Sequence, residues 1–196
     1  GNHVDILINN AVAPREFNDR FQDVRLLSFL TALEVNVWAA WELSQLVVPG
    51  MRARGAGWIV NVSSRAAGPN VGPPCRPSPV GSQSLYGGTK AMLDRITTGA
   101  AMDLYADHIA VNTLAPEAAV ATENARSWLA LPERICEPED TMAEAALALS
   151  TCDPKILTGR ITYSLSLLVE LRRPVYTIDG RSLLPGWQPH EIDPGR

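Results

Sequence analysis

The chain has 196 residues, 46% of them hydrophobic, with a formal net charge of −4. That length and apolar content suit one buried core and hence a single domain, and the acidic balance leaves no basic face for nucleic acid. No unbroken apolar run approaches bilayer length, and Cys75, Cys136 and Cys152 lack Cys-x-x-Cys or histidine-rich companions, so membrane, zinc and disulfide classes give way to a reducing cytoplasm.

Val4-Asp5-Ile6-Leu7-Ile8-Asn9 is a short branched apolar run, followed by Asn10 and later Pro14, and reads as a buried strand. Residues 26 to 48 carry apolar side chains on a helical period, with Pro49-Gly50 as the expected stop. Asn36 falls inside this helix between Val35 and Val37. Asparagine forms helix poorly, so this one is exposed, satisfied in the core or kept for a task. Trp58-Ile59-Val60-Asn61-Val62 is a second strand and runs into Ser63-Ser64. Residues 65 to 83 hold Gly68, Pro69, Gly72, Pro73, Pro74, Pro77, Pro79 and Gly81, too many breakers for any regular element.

From Ser84 the pattern turns helical again, with Met92, Leu93, Ile96, Ala100, Ala101 and Leu104 on a 3.6 period up to Tyr105. Tyr86 and Lys90 stand four apart in its first turns and so share one face. Ile109-Ala110-Val111-Asn112-Thr113-Leu114 is a third strand, closed by Ala115-Pro116. A helix is expected over 139 to 150, a fourth strand within 156 to 164, a short helix from Leu165, and a hairpin over 175 to 184 with Asp179-Gly180 as a two-residue turn. The last dozen residues, rich in proline and glycine, read as a tail, and there is no internal repeat.

Strands alternating with helices predict an α/β fold: a doubly wound parallel sheet, Rossmann-like, with helices on both faces. Ligands in such sheets gather beyond the carboxyl ends of the strands. Asn9-Asn10-Ala11, Ser63-Ser64 and Ala115-Pro116 all lie at those ends, and the Tyr86 helix starts there. A cation near a phenol favours the phenolate and prepares Tyr86 to exchange a proton with a substrate oxygen. No Gly-x-Ser-x-Gly elbow surrounds Ser64, and His3, His108 and His190 have no triad context, which disfavours a serine hydrolase.

With those markers in that order, residues 3 to 164 resemble the short-chain dehydrogenase/reductase family: Asn9-Asn10-Ala11, Asn36, Ser64, Tyr86 with Lys90, Asn112, and Ala115-Pro116 with a later Thr122. The resemblance implies an NAD- or NADP-dependent oxidoreductase acting on a small-molecule alcohol or carbonyl, with no nucleic-acid or membrane partner. It implies Tyr86 as the general acid/base and Lys90 as the group that lowers the Tyr86 pKa and holds the nicotinamide ribose. Ser64, favoured over Ser63, would polarise the substrate oxygen, and Asn36 would hold a relay water. Asn10, Ala11 and Val12 would line the adenosine side of the cofactor, and Pro116 with Thr122 the nicotinamide side, alongside Tyr86 and Lys90. No metal site is implied. The resemblance also implies a homo-oligomer, a dimer or tetramer built through the Asn36 and Tyr86 helices.

Departures accompany the resemblance. Val12 and Glu117 stand where the family has glycines, the Pro116 to Thr122 spacing is a residue longer than usual, and the proline-rich stretch widens the gap between Ser64 and Tyr86. The family's glycine-rich turn for the pyrophosphate has no counterpart. Residues 1 to 164 are therefore expected to be the carboxyl-terminal part of a Rossmann-like domain, followed by an extension and tail over 165 to 196. Such a piece would bind the cofactor poorly and leave the Val4 to Asn9 run as an open edge. The alternative is a non-catalytic relative that uses the fold as a sensor or oligomer partner.

Overall fold

The computed structural model describes residues 3–13, 20–75, 83–120, 122–123 and 136–186. Four parallel strands form the sheet: β1 (Ile6–Asn9), β2 (Gly57–Val62), β3 (Ile109–Ala115) and, after a two-stranded ribbon, β6 (Ile161–Tyr163). They lie side by side in the order β1-β2-β3-β6, with Ile8 opposite Val60 and Val60 opposite Asn112. Each crossover carries helix. Chain order thus becomes spatial order, and every strand end that the sequence marked as polar reaches the same rim. The ribbon pairs β4 (Ala119–Val120) with β5 (Cys136–Glu137) and was not foreseen.

Period-two alternation in β2 sends successive side chains to opposite faces. Ile59 joins Met51, Ala101, Ile109 and Val111 on one face, under the helices that follow β1 and β2. Val60 joins Leu114, Leu149, Leu167 and Val175 on the other, under α4 (Glu139–Ser150) and α5 (Ser164–Glu170). Fully burying such a side chain contributes about 1.5–3 kcal/mol, so the two cores, one on each face, anchor the sheet between helical layers.

The helix after β1 departs from expectation in an instructive way. It begins as α1 (Leu26–Leu33), passes through a π-helical turn (Glu34–Trp38) and continues as α2 (Ala39–Arg54). Pro49 does not stop it and lies inside α2. The stop is Gly55, whose φ of 72° is the left-handed closing conformation glycine adopts without strain. The whole helix, Leu26–Arg54, is 29 residues with a mean hydropathy of 1.2 over its most apolar stretch, long and apolar enough by length and composition to cross a membrane. The expectation concerned apolar runs, and the helix is longer than any of them because Asn36 and the scattered polar positions interrupt the apolar run without ending the helix. Here it serves as a layer against the sheet, with Met51 fully buried against Ile59.

A chain of amides ties this layer to the strands. Asn9 Nδ2 donates to Asn61 Oδ1 at 2.8 Å, and Asn61 Nδ2 donates to Thr97 Oγ1 at 2.8 Å. Thr97 then donates to the Leu93 carbonyl within its own helix. On the other side Asn112 donates to the Leu157 carbonyl and accepts from the Arg160 N–H, pinning the approach to β6.

The expected hairpin at 175–184 is looser than a two-residue turn. Tyr176 and Leu183 form a single antiparallel bridge, closed by Thr177 N–H to the Ser182 carbonyl, with Gly180 at φ 70° inside. Thr177 Oγ1 donates to Asp179 and holds the wider turn. The proline-rich stretch, expected to hold no element, opens with a 3-10 turn at Arg65–Ala67. Its Pro77, Pro79 and Gly81, and the tail from 187 on, lie outside the described residues.

Candidate active site

Tyr86 and Lys90 occupy the first turns of α3 (Ser84–Leu104), whose amino end stands at the rim of the sheet. Gly87 makes this approach possible. A Cβ there would lie 2.3 Å from the Ala66 carbonyl oxygen, so only glycine lets α3 close on the 3-10 turn that follows Ser64. Sequence reasoning passed over Gly87; its place directly after the tyrosine was the available signal.

The Ser64 side chain accepts from the Ala66 N–H at 3.2 Å and faces the Tyr86 phenol. Ser63, next to it in sequence, points the other way. It is 3% exposed and its hydroxyl stands before Asp94. The alternation of an extended strand thus separates the two serines, one to the rim and one to the interior.

Burial pushes the Tyr86 phenol above its ordinary pKa, and the Ser64 hydroxyl opposes that rise. Lys90, which the resemblance implies as the group that lowers this pKa, has its Nζ 5.9 Å from the tyrosine ring centroid and donates to the Val62 carbonyl at 2.6 Å. Lys90 itself is buried at 3% exposure, and that burial lowers it to about 8 against the field of Asp94. The ammonium has three donors and spends one on Val62, leaving two for a ligand's hydroxyls.

Asn36 is buried in the π-helical turn, a feature that often marks functional sites. Its Oδ1 accepts from the Ala13 N–H at 2.7 Å and its Nδ2 donates to Thr89 Oγ1 at 3.0 Å. Thr89 in turn donates to the Tyr86 carbonyl. Of the three options left open by its sequence position, exposure is ruled out: the side chain is buried with both amide ends bonded. It staples the segment after β1 to the first turn of α3.

Asn10, Ala11 and Val12 are exposed beyond β1, and the Val12 side chain, 37% exposed, does not crowd the sheet. Pro116 and Thr122 are half-buried, and the Thr122 N–H donates to the Val120 carbonyl at the end of β4. Glu117, where the family has glycine, is tied down. Arg65 donates to its carbonyl, and its carboxylate accepts from the N–H and hydroxyl of Ser166. Next to it Glu137 is fully buried and accepts from Ser164 Oγ at 2.8 and 2.9 Å, with burial pushing its pKa up to about 7. Glu137 was not singled out by sequence reasoning, which had no period or motif to find it by, and Glu117 was noted only as a departure from glycine.

The profile of the short chain dehydrogenase family matches residues 2–130. The chain belongs to that family. Over 173 residues it is 32% identical to the 7alpha-hydroxysteroid dehydrogenase of Escherichia coli, covering 81% of this chain and 61% of that protein. Among solved structures, a short chain dehydrogenase/reductase family protein superposes with TM-score 0.68 at 30% identity, covering 82% of this chain and 65% of the other. A structure from Beutenbergia cavernae, assigned as an NAD(P) dependent gluconate 5-dehydrogenase and holding NADP, superposes with TM-score 0.69 at 25% identity, over 82% and 64% of the two chains. The chain therefore spans less than two thirds of the length of these relatives. Family membership and the parallel, helix-flanked sheet both agree with what the residue markers implied.

Proposed function

We propose that this chain carries the hydride-transfer site of an NAD- or NADP-dependent oxidoreductase interconverting an alcohol and a carbonyl, with Tyr86 as acid/base. One observation supports it above the others: the Ser64 hydroxyl faces the Tyr86 phenol at the rim, one helical turn from the buried Lys90 ammonium. A substrate oxygen between the two hydroxyls can be held by Ser64 and exchange a proton with Tyr86 Oη, donated in reduction and accepted in oxidation. A bound nicotinamide would supply the hydride. Lys90 would bond its ribose with the two free donors and hold positive charge near the phenol. Pro116 and Thr122 would border the nicotinamide, and Asn10, Ala11 and Val12 the adenosine. The fit is to the nicotinamide half, since the sequence has no glycine-rich turn for the pyrophosphate.

The names of the relatives support an alcohol or carbonyl substrate, and the NADP-holding neighbour supports the cofactor class. Nothing among the described residues favours the non-catalytic sensor. Exposed Trp38, Trp41 and Met92 on the Asn36 and Tyr86 helices support self-association through that face. The test is deuteride transfer from 4-deuterated NADH or NADPH to a panel of steroid, sugar-acid and acyl ketones, run beside calorimetric titration of each cofactor. Weak cofactor binding is expected, with Tyr86→Phe lowering the transfer rate by about 10²-fold or more. Equal rates in parent and variant would remove Tyr86 from the chemistry.

A further inference from the structure

Asp94 follows Lys90 by one helical turn on α3. Its Oδ1 is buried without a hydrogen bond, and so is the hydroxyl oxygen of Ser63. Ser63 from the end of β2 and Thr113 from β3 face the carboxyl group and hold it against the rise that burial imposes. A lysine and an aspartate four apart on a helix are ordinary on a solvated face, where salt screens them. Here the lysine is 3% exposed, so water screens the pair weakly and the field between them persists.

The surroundings of Lys90 single out Asp94. Its own helix contributes Tyr86, whose phenol is neutral at working pH, and Asp94. The β2 strand contributes the Val62 carbonyl, a neutral acceptor. The β3 strand contributes Thr113 beside the Asp94 carboxyl. Among the described residues Asp94 is thus the charged side chain whose field opposes the loss of a proton that burial imposes on this amine.

We propose that Asp94 is a positioning residue of the site, the counter-charge that holds the Lys90 side chain as an ammonium. Its importance for catalysis rests on the reading of Tyr86 and Lys90 as the acid/base pair, but the pairing itself does not. An unbonded carboxylate oxygen in the interior is a standing cost, and the one Asp94 carries lies one helical turn from the buried Lys90. Ser63, not its rim-facing neighbour, is the serine that faces that carboxylate.

The lysine count makes the proposal directly measurable, because Lys90 and Lys155 are the only lysines in the chain. In a Lys155→Arg background carrying 13C-labelled lysine, the side-chain Cε signal reports Lys90 protonation alone. Asp94→Asn is expected to lower the Lys90 titration midpoint by about one pH unit, a tenfold change in acidity, while Asp94→Glu keeps it near the parent value. An unchanged midpoint in Asp94→Asn overturns the proposal. Coupling is reciprocal, so if that variant does not fold, Lys90→Met is read instead. The 13Cγ midpoint of Asp94 should then rise, and a fixed midpoint overturns the proposal equally. A shifted midpoint in a chain that transfers no hydride keeps the Asp94 pairing and discards the enzymatic reading. An unshifted one in an active chain discards Asp94 alone.

Discussion

β1 and β3 are written in nearly the same alphabet and live in opposite surroundings. Both are branched apolar runs that carry one asparagine, Asn9 in β1 and Asn112 in β3. All seven residues of β3 are buried, with Ile109 and Leu114 fully enclosed. In β1 the alternate residues face out, with Ile6 43% and Ile8 46% exposed, and Val4 just before them 44%. The difference lies in neighbours: β3 has a strand on each side and helices above and below, whereas β1 pairs with β2 alone among the described strands. Strand composition therefore reports what a segment is fitted for, and position in the sheet decides how much of that fitness is used. The open edge expected of the Val4 to Asn9 run is what the sheet presents, and such an edge invites pairing with another chain.

The sharpest test of that contrast removes the same kind of side chain from both strands. Leu114→Ala is expected to cost about 3 kcal/mol in urea unfolding, through lost transfer energy plus a cavity, while Ile8→Ala costs under about 1 kcal/mol. Equal costs would mean that β1 is covered in solution. Next in size is the buried acid beside the β3 side of the sheet. Glu137 is held up to about 7 from 4.5, chiefly by burial, so its folded state favours the proton. Its contribution to stability is then full below about 4.5 and is lost as pH rises to about 7, by on the order of 2–3 kcal/mol. Glu137→Gln should flatten that part of the stability-versus-pH curve, and a curve of unchanged slope would place the titration elsewhere. The smallest effect belongs to the edge. Ile6→Lys should leave the unfolding midpoint nearly unmoved, within about 0.5 kcal/mol, yet slow aggregation measured by light scattering. Unchanged aggregation would show that the edge is not the adhesive surface.

How much of this was readable in advance follows the same division between local pattern and environment. Strand positions were legible because runs such as Trp58 to Val62 are apolar on both faces, and Tyr86 with Lys90 because four residues make one helical turn. The extent of the long helix was not, since Pro49 removes one hydrogen bond but the packing of Met51 and the cap at Gly55 outweigh it. The opposite directions of Ser63 and Ser64 came from the alternation of β2, which places one before Asp94 and the other before Tyr86. Glu137 and Asp94 were invisible for a different reason: a buried carboxylate is defined by what surrounds it, and Ser164 and Ser63 lie 27 and 31 positions away in sequence. The upward shift of the Tyr86 phenol belongs to the same class, since a motif gives the partner and only the fold gives the desolvation.

The amide chain from Asn9 through Asn61 to Thr97 has a consequence for assembly. An edge strand apolar on both faces could dock one residue out of step with little hydrophobic penalty, because either face would find grease beneath it. Sliding β1 by one position would swing the Asn9 amide to the opposite face and strand the Asn61 oxygen in the interior. A single polar hook thus works as an alignment key, rejecting the misthreaded sheet that oily side chains alone would tolerate.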